Sequence, residues 1–120
     1  MKRILVMDDD PDITMVLSHI FQLYGYSVET LTDADFFLDT VVSNPPALIF
    51  LDINLGTQDG RRLCRTIKQS PHLKSIPIIM ISASPVLKQV LQQDGGPDSI
   101  LEKPFDIDHL INMTNKYIAA

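Results

Sequence analysis

Cysteine is almost absent from this chain. Cys64 stands alone among 120 residues, so no internal disulfide can form and a reducing compartment is expected. Long hydrophobic runs are missing as well: apolar stretches reach five or six residues, far short of the roughly 20 that a membrane-spanning helix needs. The opening "MKRILVMDD" has neither a long apolar stretch nor a small-residue cleavage site, so no secretory leader is expected. Together these point to a cytoplasmic protein with no membrane association. Basic charge is in deficit, with 10 Lys and Arg against 15 Asp and Glu and a net charge of -5. That argues against direct nucleic-acid binding by this domain, which requires a basic face. Repeats, low-complexity tracts and linker-like composition are also lacking. Residues 1–120 are therefore expected to form one domain around one core.

What the chain does have is regular alternation. "RILVM" (3–7) reads as a strand buried on both faces. A helix follows, with Pro11 in its first turn and Asp9 or Asp10 as its cap. Its apolar face is expected to carry Ile13, Val16, Leu17, Ile20 and Tyr24, and Gly25 ends it. "YSVETLT" is a more polar strand, suited to an edge. Ala34, Phe37, Leu38, Val41 and Val42 fit a second helical face. "PPALIFLD" is a second fully apolar strand, ending at Asp52. After the loop "INLGTQDG", Gly60, Leu63, Cys64 and Ile67 mark a third helix. "IPIIMIS" is a third buried strand, ending at Ser82. Pro85, Val86, Leu87, Val90 and Leu91 mark a short fourth helix, and "DSILEK" a fifth strand closed by Lys103. Ile107, Leu110, Ile111, Thr114 and Ile118 mark the last helix. Five βα units imply an α/β fold, a parallel sheet with helices on both faces.

In such sheets ligands gather outside the carboxyl ends of the strands, where the strand order switches. The residues arriving there are Asp8 and Asp9, Asp52, Ser82 and Lys103. Carboxylates brought together repel: at ~4 Å and an effective dielectric of ~20 each pair costs about 4 kcal/mol before screening. They must share protons or hold a cation, and an all-oxygen set suits Mg²⁺. Lys103 supplies a mobile positive charge able to meet a phosphoryl oxygen, Ser82 a hydroxyl, and an aspartate can itself become an aspartyl phosphate.

In order and spacing, "ILVMDDDPDI", "LIFLDINLGTQDG", "IPIIMISAS" and "LEKPF" resemble the receiver domain of two-component response regulators over the whole length of the chain. The resemblance implies a chemotaxis-Y-like, flavodoxin-like (βα)5 fold, a doubly wound five-stranded parallel sheet of order 2-1-3-4-5. It implies that Asp52 is the phosphoacceptor, and that Asp8, Asp9, Asp52 and the main-chain carbonyl of Asn54 hold Mg²⁺. Ser82 and Lys103 then take the family's hydroxyl and lysine roles, with Pro104 in a peptide that is commonly cis. The implied partners are a sensor histidine kinase or phosphotransfer protein and a downstream output domain or protein. The chain would be a monomer or weak dimer. It would be no enzyme beyond Mg²⁺-dependent self-phosphorylation and auto-dephosphorylation, and its surface would change around the fourth helix and fifth strand. Three departures accompany the resemblance. Gly56 stands where the acceptor loop usually has proline, the segment between Ser82 and Lys103 is about one residue short, and Ile100 replaces the usual aromatic switch residue.

Two other readings compete. A pseudo-receiver would be a protein-interaction module without phosphate turnover; the complete acid, hydroxyl and lysine positions oppose it, while Ile100 favours it. A haloacid-dehalogenase-type phosphohydrolase also uses a strand-end aspartate with Mg²⁺, but it wants a second acid two residues later, where this chain has Asn54. Asp10 is expected to cap the first helix and Asp59-Gly60 to start the third. His19, His72 and His109 show no metal-ligand spacing. Cys64 is expected in the core, Phe36-Phe37 half inside and half out, and Phe105 as an anchor for the last helix.

Overall fold

The apolar runs become the centre of the molecule. In the computed structural model, which describes residues 2–56, 58–83 and 95–118, β1 (Arg3–Met7), β3 (Leu48–Asp52) and β4 (Ile78–Ser82) lie side by side. Their apolar side chains from Ile4 to Met7, Leu48 to Leu51 and Ile78 to Ile81 are all 0% exposed. β2 (Ser27–Leu31) and β5 (Ser99–Glu102), each more polar, close the two edges. All pairings are parallel and the order is β2-β1-β3-β4-β5, the expected 2-1-3-4-5. The order reverses beside β1, which opens a crevice over the carboxyl ends of β1 and β3.

Alternation along each strand divides the core in two. Leu5 and Met7 face one side with Phe37 and Val41 of α2 (Phe37–Ser43) and with Leu63, Cys64 and Ile67 of α3 (Gly60–Lys68). Ile4 and Val6 face the other side with Leu17 and Phe21 of α1 (Pro11–Leu23) and Leu110 and Ile111 of the C-terminal helix α4 (Ile107–Tyr117). Three helices start on aspartate caps. Asp10, Asp59 and Asp106 accept from the main-chain N–H of Asp12, Arg61 and His109, each cap contributing about 1 kcal/mol. Asp10 is therefore the cap of α1, with Pro11 at its first position. No helix among the described residues is long and apolar enough to cross a membrane.

Helix faces differ from the sequence expectation in detail. On α1, Val16 and Tyr24 are exposed, whereas Phe21 is fully buried, its ring tilted against Phe50 at 5.1 Å and edge-on to Tyr26 at 6.2 Å. Leu17 sits at the centre of the buried stripe, so residues three and four away (Thr14, Ile13, Ile20, Phe21) share its face, and Val16 falls about 100° off it. Tyr24 lies beyond the last helical residue. Val42 and Ile107 are likewise exposed. Phe37 is buried and Phe36 exposed, as expected of that pair, and Phe105 packs onto the α1–α4 side. The expected fourth helix, from Pro85 through Leu91, lies outside the described residues.

Candidate functional site

Because β1 and β3 pair in register, with Met7 opposite Leu51, the next residues, Asp8 and Asp52, are delivered side by side. One carboxylate oxygen from each of Asp8, Asp9 and Asp52 lies within 4.8 Å of the others. Their environments are unequal: Asp8 is fully buried, Asp52 is 7% exposed, and Asp9 faces solvent. Lys103 reaches in from the end of β5, its Nζ 3.4 Å from Asp8 Oδ2 and 3.9 Å from Asp52 Oδ2. The Lys103 main-chain N–H donates to the Ser82 carbonyl at 2.7 Å, which ties the end of β4 to the lysine. Ser82 is buried at 2% exposure. The Lys103–Pro104 peptide is cis.

Local turns hold the acids. Asp8 Oδ1 accepts from the Asp10 N–H at 2.9 Å, and Asp10 Oδ1 from the Asp12 N–H at 2.9 Å, two consecutive side-chain turns that lead from strand to helix. Asp52 Oδ1 accepts from the Asn54 N–H at 3.3 Å. Past Asp52 the chain forms a short antiparallel ladder, Asn54 opposite Asp59 and Leu55 opposite Gln58. Gly56 closes it at φ +73°, a conformation that proline cannot take. Gln58 Nε2 donates to Asp35 Oδ1 at 2.6 Å, fastening this hairpin to the turn before α2. Gly60 sits directly under the site: a Cβ there would stand 2.1 Å from the Asp52 carbonyl oxygen. The sequence reading assigned Gly60 only a helix start, and "DG" before an apolar stripe gives no hint of that approach.

Three carboxylates face one ammonium group, so the pocket is left with an excess of negative charge. The Asp52 carboxyl is pushed up to about 6, first by burial and then by the charge of Asp8, with Lys103 and the Asn54 N–H pulling the other way. Among the described residues, the Asp9 carboxylate has no hydrogen-bond or ion-pair partner. An all-oxygen donor set with surplus negative charge and one open carboxylate fits a hard divalent cation such as Mg²⁺.

Other candidates fall outside the pocket. His19, His72 and His109 are exposed. Cys64 is fully buried, its thiol pushed up to about 11 by desolvation, which makes it a core residue. Ile100 is half-buried in β5 opposite Met80 and packs on the α2–α3 side. The sequence reading missed a network at the opposite edge of the sheet. There Asp98 Oδ2 meets Lys68 Nζ at 2.6 Å and accepts the Ile78 N–H at 2.8 Å. Lys68 also donates to the Ile76 carbonyl at 2.8 Å.

Fold and pocket together define a flavodoxin-like α/β domain with an acidic site at its switch point. The chain belongs to the response regulator receiver domain family of two-component signalling, whose pattern matches residues 4–115; receivers of this family bind Mg²⁺ in their acidic pocket. It is 38% identical over 109 residues to the transcriptional regulatory protein YxdJ of Bacillus subtilis, covering 90% of this chain and 46% of that protein. It is 33% identical over 112 residues to the DNA-binding dual master transcriptional regulator RpaA of Synechocystis, covering 92% and 46%. The chain thus spans less than half the length of these relatives. Among solved structures it is similar to the chemotaxis protein CheY4 of Vibrio cholerae (TM-score 0.89, 28% identity, 98% of this chain and 99% of that one). The receiver domain of NtrX from Brucella abortus is similar as well (TM-score 0.85, 32% identity, 96% and 97%).

Proposed function

We propose that residues 1–120 form a phosphorylation-controlled switch that receives a phosphoryl group on Asp52 from the phosphohistidine of a sensor kinase or phosphotransfer protein. The observation that carries this reading is the three-carboxylate cluster with Lys103 Nζ beside both Asp8 and Asp52. Asp8, Asp9, Asp52 and the Asn54 carbonyl would hold Mg²⁺, which when bound supplies positive charge for the phosphoryl oxygens. The remaining work falls to the chain. An Asp52 carboxylate oxygen bonds to phosphorus as the phosphorus–nitrogen bond of the donor breaks, and the electron pair leaves on the imidazole nitrogen. With its carboxyl at about 6, Asp52 is mostly ionised, and so nucleophilic, at neutral pH. Lys103 takes up charge on a phosphoryl oxygen, and the Ser82 hydroxyl hydrogen-bonds another. Water later attacks the phosphorus, releasing phosphate and restoring the carboxylate. The setting is cytoplasmic, and the signal passes to an output domain or protein, as the names of YxdJ and RpaA suggest for regulators of this family.

Incubation with acetyl phosphate and Mg²⁺ tests the reading. One phosphoryl group per chain is expected by intact mass, labile to base and hydroxylamine, and absent when Mg²⁺ is chelated. Lys103→Ala should still take up label but respond less to it. An unchanged mass under these conditions would overturn the proposal.

Ile100 sets the form of the response. A β-branched side chain on a strand has few χ1 states, so Ile100 cannot make the wide swing of an aromatic ring. Coupling then rests on Ser82, Lys103 and the backbone between them, and losing one element shrinks the population shift. Methyl NMR with and without beryllofluoride should show one Ile100 rotamer and at most weak self-association through the face of β5 and α4. A rotamer flip with tight dimerisation would contradict this.

A further inference from the structure

Charge is segregated along the chain. From Gly60 to Gln93 there is no Asp or Glu, and six Lys and Arg fall in those 34 residues. The stretch carries +6 and the remainder -11, which gives the net -5. Three of the four arginines, Arg61, Arg62 and Arg65, lie on α3, and all three are exposed while Leu63, Cys64 and Ile67 turn into the core. Residues three and four apart on a helix are neighbours, and like charges there destabilise it by a few tenths of a kcal/mol.

Among the described residues, the bordering acids neutralise this face only in part. Asp59 holds Arg61 in a two-pronged pair, Nη2 to Oδ2 at 2.7 Å and Nε to Oδ1 at 3.1 Å, and Asp98 is occupied by Lys68. Arg62, Arg65 and Lys74 form no ion pair among the described residues. Gly95 lies beside the stem of Arg65, where a Cβ would come within 2.8 Å of Arg65 Cγ. Asp59, Arg61, Arg62 and Arg65 line an open concavity of about 480 Å³.

We propose that the exposed face of α3 docks an acidic protein segment, with Arg62 and Arg65 as its main grips. The Arg61–Asp59 pair displays the geometry in use, a guanidinium fork on a carboxylate. Size separates a protein from a nucleic acid. A nine-residue helix is about 13 Å long, less than two Debye lengths of about 8 Å at physiological salt. A nucleic acid, charged along its whole length, runs past this patch onto the -11 remainder, whereas a short acidic segment ends within it. A small anion finds only exposed guanidinium groups and no enclosure. The surface is independent of the chemistry at Asp52.

The test is an NMR titration of the full chain at low salt with a short Glu/Ala peptide and, separately, an oligothymidylate of equal charge. Peptide-induced shifts should centre on Arg61–Lys68. Losing two exposed pairs together predicts about a tenfold rise in Kd for the Arg62→Gln/Arg65→Gln variant, with its melting temperature unchanged or slightly raised. Lys2→Gln/Lys116→Gln, a control of equal charge change, should bind as the parent does. Shifts spread over all basic residues, unchanged affinity in the arginine variant, or tighter binding of the oligothymidylate would each overturn the proposal. So would arginine-dependent self-association without peptide binding, which would make a second copy of the chain the occupant.

Discussion

Asp52→Asn is expected to abolish phosphoryl uptake from acetyl phosphate and, in the absence of Mg²⁺, to make the protein more stable at neutral pH. The first effect follows from the reading of Asp52 as nucleophile: an amide has no anionic oxygen to attack phosphorus. The second follows from the pocket. Burial and the Asp8 charge raise the Asp52 carboxyl from 3.8 to about 6, so the folded state binds this proton more tightly than the unfolded chain does. Between those two values the folded protein keeps the proton and the unfolded chain has lost it. Stability therefore falls as pH rises through that window and is flat above it. At pH 7.5 the ionised aspartate costs about 3 kcal/mol, and Asn in its place removes that cost. For a domain of this size the gain is roughly 12 °C in Tm. It should shrink toward pH 4, and Mg²⁺, which offsets the same repulsion, should stabilise the parent more than the variant. Melting curves at several pH values, beside intact-mass labelling, are sufficient. Label that survives the substitution would place the acceptor elsewhere. A variant less stable at every pH would mean that the carboxylates are not in conflict.

Gly60→Ala should be the most damaging small substitution near the site. In the first turn of a helix alanine is preferred over glycine by up to about 1 kcal/mol, so local propensity predicts a gain. Tertiary packing predicts the reverse. The added Cβ would meet the Asp52 carbonyl oxygen at 2.1 Å, Ile53 Cα at 2.9 Å and the Asp52 carbonyl carbon at 3.0 Å. These are backbone atoms of the central sheet and its exit, and none can swing aside as a side chain would. Relief requires α3 or the end of β3 to move, at a net cost of about 3 kcal/mol or more, with the Asp52 carboxylate displaced along with it. Gly56→Ala is the informative contrast. Its Cβ would meet nothing closer than Asp9 Oδ2 at 3.8 Å, and only the positive φ is strained, at about 1–2 kcal/mol. Urea unfolding should rank the parent above Gly56→Ala and Gly56→Ala above Gly60→Ala. A Gly60→Ala variant as stable as the parent would show that the helix start yields easily.

The sequence by itself determined the strands and which side chains they carry to one edge. Ile4–Met7, Leu48–Leu51 and Ile78–Ile81 are apolar at successive positions because both faces of a central parallel strand are covered, and that pattern needs no partner to be read. Strict βα alternation then sends every strand in one direction, so Asp8, Asp52, Ser82 and Lys103 must arrive at one edge. Which side of α1 faces inward was less legible. Ile13, Leu17 and Ile20 fit two overlapping stripes, and only the ring of Phe50 in β3 and Tyr26 beyond the helix selects the one that contains Phe21. Tertiary structure alone decided the inequality of the acids. Asp8 and Asp9 are adjacent and chemically identical, yet the pairing of β1 with β3 buries one against Asp52 while the turn into α1 leaves the other in solvent. It also decided the 2.1 Å approach over Gly60 and the Lys68–Asp98 pair. Each depends on distances between segments remote in the chain, which strand order and helix packing set and which local sequence pattern does not encode.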